Sequence, residues 1–288
     1  MASIATAMLH RVGVAGGVKL PCAEYGTGSG LPVLLLHSYT DTRPSFELLL
    51  PHLPRALRLI VPTQRGDGDT GRPLSGYTSV EFAADALAVL DALGVRQTIV
   101  VGHSMGNQIA LRLAREHPDR VSGLVLIGGF ASLAEKHAVQ AVGNEAIAGL
   151  VDLVDPAFVT ESQHSTVARA VPEALLDPVV RENPTLPACA WRQALAAMAQ
   201  EPLIDDVPRV TAPTLLLWGD RDAIVSHDQQ EVLAATLPDV RLEVLPGTGH
   251  APHREDPERT AAAVIRFVHE VVARSVLPGN HMPFRNAA

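Results

Sequence analysis

The chain is poor in cysteine, in basic residues and in long apolar runs. Its 288 residues include two cysteines, Cys22 and Cys189, which are too few for a disulfide framework or a structural zinc site. Lysine and arginine together number 23, against 31 aspartates and glutamates. No basic patch stands out, which argues against a nucleic-acid or anionic-membrane partner. No apolar run approaches the ~20 residues needed to cross a bilayer, so no membrane span is predicted.

The N-terminal segment also lacks the features of a targeting sequence. Residues Met1 to Gly17 show no basic stretch followed by an apolar one, and therefore no signal peptide is predicted. Free thiols are typical of a reducing compartment, so we expect a cytoplasmic protein. Hydrophobic residues make up 47% of the chain, enough to bury one large domain or one domain with a sizeable insertion.

Short apolar runs alternate with helical patterns along most of the chain. Continuous apolar runs of this length are typical of strands buried on both faces of a parallel sheet. Helical periodicity appears between the runs, as in Ser79–Leu93 and Ser104–His117. This alternation predicts an α/β fold with a mostly parallel, doubly wound sheet. The runs are Val33–Leu36, Leu59–Val61, Thr98–Val101, Gly123–Ile127 and Thr214–Trp218.

The alternation stops in the segment from Ala131 to Asp206. Helix-like stretches at Glu135–Leu150 and Pro187–Gln200 are separated by prolines, and no strand-like run occurs. Compact domains rarely contain so long a loop without secondary structure, so we predict a helical cap over one end of the sheet. The predicted parts are a core of residues 1–130 and 207–288, a cap of residues 131–206, and a frayed tail of residues 278–288.

The pentapeptide Gly102–Gly106 follows an apolar run and opens a helix. It matches the G-x-S-x-G pattern in the context that gives the pattern meaning, a strand that turns sharply into a helix. Such a turn presents the Ser104 hydroxyl at the carboxyl end of the strand. The helix N-terminus offers backbone N–H groups to developing negative charge. Ser104 is therefore the candidate nucleophile.

A serine nucleophile needs a base, and the base needs an orienting group. Asp222 and His250 each follow an apolar run, so their loops should open at the same edge of the sheet as Ser104. From the residues alone, Asp220 could replace Asp222 and His253 could replace His250. A metal pair of His250 and His253 is disfavoured because Pro252 interrupts any helix that would align them, and no metal site is predicted.

With the order Ser104, Asp222, His250, the chain resembles the α/β-hydrolase superfamily from about Val18 to Val272. It is most similar to capped members: esterases, cofactor-free haloperoxidase-like enzymes, epoxide hydrolases and carbon–carbon bond hydrolases. The resemblance implies an α/β-hydrolase fold with a cap, a small-molecule substrate and no cofactor. The matching stretches are Leu34–Ser38, Gln64–Asp69, Gly102–Gly106, Trp218–Asp222 and Gly247–His250.

The resemblance also implies roles for individual residues. Ser104 would be the nucleophile, Asp222 the triad acid and His250 the general base, while the backbone N–H groups of Tyr39 and Met105 would form the oxyanion hole. The family spacing favours Asp222 over Asp220, and the preceding Gly-x-Gly favours His250 over His253. The candidate pocket residues are His37, Ser38, His103, Phe130 and Trp191.

Three positions depart from the family pattern. Relatives usually have His-Gly where this chain has His37-Ser38. Serine allows the backbone of the oxyanion loop fewer conformations than glycine does. Relatives often have Arg-Gly-His-Gly where this chain has Asp67, and there we expect a structural effect only. Asn107 replaces a common glycine, and its amide either reaches the wall of the site or starts the helix.

The nucleophile type narrows the expected chemistry. Relatives that are haloalkane dehalogenases or epoxide hydrolases use aspartate where this chain has Ser104. We therefore expect hydrolysis of carboxylic esters of small to medium apolar compounds. The alternatives are lactone or carbon–carbon bond hydrolysis, or a ligand-sensing protein on this scaffold that turns over slowly.

Overall fold

The computed structural model describes residues 7–28, 30–130, 147, 149–150, 154–172, 188–201 and 203–276. Its central feature is an eight-stranded sheet in the order β1-β2-β4-β3-β5-β6-β7-β8. β1 and β2 run antiparallel to their neighbours, and the other adjacent pairs are parallel. The predicted fold class is therefore confirmed. The strands are β1 (Met8–Gly13), β2 (Lys19–Tyr25), β3 (Val33–Leu36), β4 (Leu59–Pro62), β5 (Thr98–His103), β6 (Val121–Ile127), β7 (Thr214–Gly219) and β8 (Val240–Leu245).

Helices connect the strands and cover both faces of the sheet. Residues Thr78 and Glu81 form a capping box at the start of α1, as their spacing favours. Among the described helices, none is both long enough and apolar enough to cross a membrane. The helices are α1 (Ser79–Ala92), α2 (Met105–Glu116), α3 (Pro156–Ser165), α4 (Ala188–Gln200), α5 (His227–Thr236), α6 (Pro252–Glu255) and α7 (Pro257–Val276).

The core consists of two apolar layers, one on each face of the sheet. In β3, Leu34 and Leu36 belong to the layer that includes α1 and α2. Val33 and Leu35 belong to the opposite layer, which includes α7. Successive strand residues point to opposite faces, so a strand covered on both faces must be apolar at every position. This is why the central strands could be predicted as continuous apolar runs.

The described part of the predicted cap segment contains two helices. α4 matches the predicted stretch Pro187–Gln200, although Pro187 itself lies outside the described residues. α3 was not predicted, because Pro156 was interpreted as a separator. Proline instead suits the first turn of a helix, and Asp155 caps α3 by accepting the Ala157 N–H at 2.8 Å. Most of the predicted helical stretch Glu135–Leu150 lies outside the described residues, which here are 147, 149 and 150. The predicted frayed tail, 278–288, also lies outside them.

Candidate active site

Ser104 lies in a sharp turn between β5 and α2. Its backbone has φ 51° and ψ −112°, a conformation that L-residues rarely adopt. A Cβ added to Gly102 would lie 2.4 Å from the Gly106 carbonyl oxygen, and one added to Gly106 would lie 2.2 Å from the Leu36 carbonyl oxygen. The two glycines of the G-x-S-x-G pattern are therefore required by backbone packing.

Hydrogen bonds to the end of β6 hold this turn. The Ser104 N–H donates to the Ile127 carbonyl at 3.0 Å, and the Asn107 side-chain amide donates to the same oxygen at 2.9 Å. The Asn107 N–H donates to the Ser104 carbonyl at 2.8 Å. The sequence suggested that the Asn107 amide reaches the wall of the site or starts the helix. In the structure it has a different role, because it bonds the serine turn to the end of the neighbouring strand β6.

The His250 ring is hydrogen-bonded to Asp222. The Nδ1–H of His250 donates to Asp222 Oδ2 at 2.8 Å, and the two side chains are 2% and 0% exposed. The other carboxylate oxygen, Oδ1, accepts the N–H groups of Ile224 and Val225, both at 2.8 Å. His250 Nε2 is buried and has no hydrogen-bond partner among the described residues. The ring is therefore oriented with Nε2 available as an acceptor.

The two alternative residues have other partners. Asp220 Oδ1 accepts the Gly247 N–H at 2.5 Å and so holds the loop before His250 rather than its ring. His253 Nε2 is hydrogen-bonded to Ser45 Oγ at 3.2 Å. Of the pairs considered, Asp222 and His250 are the ones that the structure brings together.

Three imidazoles pack against one another behind the site. The His103 ring centroid lies 5.0 Å from that of His250 and 4.4 Å from that of His253. The Nε2–H of His103 donates to the His250 carbonyl at 3.0 Å. Burial holds the pKa of both His103 and His253 well below the ordinary value, and nearby positive groups add to the effect. Both rings are neutral at neutral pH.

The loop that carries His250 is fastened to α6 and to the chain after α3. The Glu255 carboxylate accepts N–H groups from Gly249 at 2.9 Å, Ala168 at 2.8 Å and Arg169 at 2.9 Å. A Cβ added to Gly128 would lie 2.8 Å from His250 Nδ1, so only glycine leaves room for the ring there. Neither the contacts of Glu255 nor the requirement for glycine at position 128 was predicted from the sequence.

The predicted oxyanion residues lie on two adjacent loops. Tyr39 follows β3, and its hydroxyl donates to the Trp191 carbonyl at 2.8 Å, with the two rings packed edge to face. Met105 is the first residue of α2. Neither backbone N–H donates a hydrogen bond to another described residue. Both residues follow the carboxyl ends of their strands, at the edge of the sheet where Ser104 lies.

A buried hydrogen-bond clamp holds the loop after Tyr39. Arg254 donates to Asp41 Oδ2 at 2.6 Å and to Gln163 Oε1 at 2.7 Å. The Gln163 side-chain amide then donates to the Thr40 carbonyl at 3.0 Å. Thr40 has φ 52°, a strained value for a residue that is not glycine. This loop is therefore held by contacts from α3 and α6.

A small cavity borders Met105 and Tyr39. None of the five predicted pocket residues lines it. The His37 ring accepts the Gln64 N–H at 2.9 Å, and His103, Phe130 and Trp191 are packed in buried contacts. The residues that line this cavity are Tyr39, Thr40, Arg65, Asp67, Tyr77, Phe82, Met105, Ala190 and Ala194.

Asp67 is a cavity residue that sequence reasoning missed. The sequence interpretation gave it a structural effect only, and in the structure Asp67 is one of the residues that line the cavity. The available signal was its position, where relatives often carry histidine. As for metals, the described residues contain no group of three or more histidine, cysteine, aspartate or glutamate side chains close enough to hold an ion.

Comparison with known proteins agrees with this geometry. The sequence model of the α/β hydrolase fold matches residues 32–257. The chain belongs to this family. It is 29% identical over 273 residues to a 2-hydroxymuconate semialdehyde hydrolase from Pseudomonas sp. strain CF600, a match that covers 91% of this chain and 95% of the relative.

Solved structures of α/β-hydrolases superpose on most of the chain. A thermophilic esterase from Thermogutta terrifontis is 27% identical with a TM-score of 0.79, covering 92% of this chain and 99% of the esterase. An esterase from Exiguobacterium antarcticum has a TM-score of 0.80 at 24% identity, covering 91% of this chain and 100% of that one, and shows the fold alone. The resemblance predicted from the sequence is thus confirmed, and the chain is an α/β-hydrolase.

Proposed function

We propose that this α/β-hydrolase cleaves carboxylic esters through an acyl-enzyme formed on Ser104. The observation that carries the proposal is the hydrogen bond of 2.8 Å from His250 Nδ1 to Asp222. It fixes the tautomer in which His250 Nε2 carries no proton and can accept one. Ser104 lies at the same edge of the sheet, in the strained turn that exposes a nucleophile in this fold.

The proposed reaction runs in two halves. His250 Nε2 takes the proton of Ser104 Oγ as the oxygen attacks the ester carbonyl carbon. The resulting imidazolium gives that proton to the departing alcohol, which leaves the acyl group on Ser104. In the second half, His250 deprotonates a water that attacks the acyl carbon, and the proton returns to Ser104 as the acid leaves. Asp222 stays ionised and stabilises the imidazolium in both halves.

Two backbone N–H groups would stabilise the oxyanion of each tetrahedral intermediate. The Met105 N–H lies at the N-terminus of α2, where the helix dipole favours negative charge. The Tyr39 N–H would be the second donor. Its loop is supported by the Trp191 contact and by the clamp of Asp41, Arg254 and Gln163.

We further propose that residues 131–206 form a cap that sets substrate size. Contacts from both described helices of this segment support the assignment. In α3, the Gln163 side-chain amide donates to the Thr40 carbonyl. Directly after α4, the Glu201 carboxylate accepts the Ser79 N–H and hydroxyl. Trp191 packs against the rings of Tyr39 and Phe158. An apolar roof of this kind favours substrates with apolar acyl or alcohol groups.

A series of 4-nitrophenyl esters with increasing acyl length tests the proposal. Each CH₂ that the cap buries should add about 0.8 kcal/mol, or roughly fourfold in kcat/KM. We expect a rise from acetyl to medium chains, followed by a fall once the cap no longer covers the chain. Ser104→Ala should abolish turnover.

Two results would contradict parts of this account. A flat profile, or a maximum at acetyl, would show that the cap packs closed over a small chamber. Absence of turnover with every ester, in a protein whose Ser104 still reacts with a covalent probe, would overturn ester hydrolysis. It would favour carbon–carbon bond hydrolysis or ligand sensing on the same scaffold.

A further inference from the structure

Residues 166–169, which directly follow α3, lie against the loop that carries His250. This segment is called the strap below. The His250 N–H donates to the Thr166 carbonyl at 2.9 Å. A Cβ added to Gly249 would lie 2.7 Å from the Ala168 backbone nitrogen, so that position has no room for a larger residue. The strap therefore contacts both the peptide group of the proposed general base and the residue before it.

Arg169 fastens the strap to the start of the same loop. Its guanidinium donates to the Gly247 carbonyl through Nε at 2.9 Å and to the Pro246 carbonyl through Nη2 at 2.8 Å. Through Nη1 it pairs at 3.4 Å with Asp256 Oδ2, directly after α6. One planar group thus serves three acceptors around the loop, which the single ammonium group of lysine cannot reproduce.

Glu255 in α6 joins the strap to the residue before His250. Its Oε2 accepts the Ala168 N–H at 2.8 Å and the Arg169 N–H at 2.9 Å. Its Oε1 accepts the Gly249 N–H at 2.9 Å. An ionised carboxylate only accepts hydrogen bonds, and bonds to it are about twice as strong as bonds between neutral groups. An amide in its place would set a donor against one side of this arrangement.

These backbone contacts control a different property of His250 from the one that Asp222 controls. The Asp222 bond fixes the tautomer and the orientation of the ring, whereas the backbone contacts fix where the ring lies relative to Ser104. A displacement of about 1 Å at a reacting group can cost about 100-fold in rate. The contacts of Glu255 and Arg169 thus bear directly on proton transfer.

Resting on the proposed acyl-enzyme reaction, we propose that Glu255 and Arg169 are positioning residues for the general base. They hold the His250 loop on the strap, so that Nε2 can take the proton of the Ser104 hydroxyl. The strap lies within the proposed cap, residues 131–206. The segment that sets substrate size therefore also supports the catalytic base.

Glu255→Gln tests the carboxylate, with kcat on one good ester and the rate of Ser104 labelling by a fluorophosphonate as readouts. Both should fall roughly 10- to 100-fold while KM changes less, because proton transfer is impaired and the substrate pocket is left intact. Glu258→Gln is the matched control three residues further on, where the side chain is exposed, and it should keep wild-type values. Wild-type rates in Glu255→Gln would overturn the proposal.

A double-mutant cycle separates positioning from general stability. If Glu255 acts through the imidazole, Glu255→Gln should not lower further the slow labelling and turnover that His250→Ala retains. All variants are compared well below their melting temperatures. The same fold-loss in both backgrounds would show that Glu255 only stabilises the fold, which would overturn its positioning role.

Arg169→Lys tests the strap itself. The labelling rate should fall on the order of tenfold, because lysine cannot serve all three acceptors. The loss should not add fully to that of Glu255→Gln, since both side chains hold one loop. Arg192→Lys is the matched control, because this arginine donates to the Leu150 carbonyl within the proposed cap. A wild-type rate in Arg169→Lys, or full additivity, would overturn the role of Arg169.

Labelling keeps this test separate from the proposed function. A chain that cleaves no ester, but whose Ser104 labelling slows in Glu255→Gln, would contradict ester hydrolysis and support the positioning residues. Ester cleavage that keeps its full kcat in Glu255→Gln would contradict the positioning residues alone. Absence of labelling in the wild-type chain would contradict both, since both require an activated Ser104.

Discussion

At the scale of single residues, Ser104 shows how strain is supported by its surroundings. A non-glycine residue with φ near 50° is destabilised by about 1–3 kcal/mol, so neighbouring contacts must hold it. Here two bonds to the Ile127 carbonyl and the bond from the Asn107 N–H supply the support. The glycine spacing made the turn predictable. The role of Asn107 was not predictable, because a side-chain amide can bond in many directions.

The two aspartates after β7 give a paired test of the orienting group. Asp222→Asn should lower kcat on the order of 10³–10⁴-fold, because an amide favours the wrong tautomer of His250. Asp220→Asn should cause only a small loss, since its oxygen can still accept the Gly247 N–H. Steady-state kinetics on one good ester decides between them. Similar losses in the two variants would contradict the assignment of Asp222.

Asp67 marks the limit of reading single residues from the sequence. Its identity was visible as a departure from the family pattern, but its burial depends on the packed loop. Arg65 lies two positions away and could have paired with it. In the structure that guanidinium is turned to Asp85 in α1 instead. Only tertiary packing decides which carboxyl Arg65 pairs with.

At the scale of elements, the buried apolar strands were predictable and the exposed edge strand β1 was not. The predicted runs at Val33–Leu36 and Thr214–Trp218 fall within β3 and β7, because both faces of these strands are buried. β1 was missed, since most of its residues are exposed and it has no continuous apolar run. The boundaries of the proposed cap, 131–206, stay predictions.

Contacts between distant elements also escaped sequence reasoning. Gln163 in α3 and Arg254 in α6 are 91 residues apart, and Arg254 reaches Asp41 across 213 residues. No local pattern encodes such pairs, because the fold alone brings the elements together. The same holds for Glu255, whose carboxylate gathers backbone N–H groups from two separate segments.

Gln163 offers a test of the loop clamp. Gln163→Leu removes the bond to the Thr40 carbonyl and leaves Arg254 one acceptor short. If the clamp positions the Tyr39 N–H, kcat should fall roughly 10- to 100-fold while KM changes less. Thr160→Ala, on the same helix, should keep wild-type kinetics because its hydroxyl bonds only within α3. A Gln163→Leu variant that melts lower but keeps kcat would limit the clamp to stability.

At the scale of the whole molecule, buried histidines couple stability to pH. Burial lowers the pKa of His37, His103 and His253 in the folded chain. As pH falls below about 6.5, the unfolded chain binds protons that the folded chain does not, so folding stability decreases. Asp67 acts in the opposite direction, because its raised pKa lets the folded chain keep a proton that the unfolded chain has lost.

Urea unfolding at several pH values measures this balance. The lowered pKa values of the three histidines make the free energy of unfolding fall as pH falls below about 6.5, and the raised pKa of Asp67 offsets part of that fall. His253→Gln removes one titrating group and can keep a bond to Ser45. Its slope should be smaller by about 1.4 kcal/mol per pH unit. An unchanged slope would mean that His253 is protonated in the folded chain.

Covalent labelling with a fluorophosphonate tests the central claim most directly. The probe reacts with serines activated by a neighbouring base, and the chain offers two serines to compare. Ser104 lies in the strained turn, whereas Ser45 Oγ is hydrogen-bonded to the alternative histidine, His253. We predict one label per chain on Ser104 by peptide mapping, lost in Ser104→Ala and kept in Ser45→Ala. A label on any other serine, or undiminished labelling of Ser104→Ala, would contradict the account.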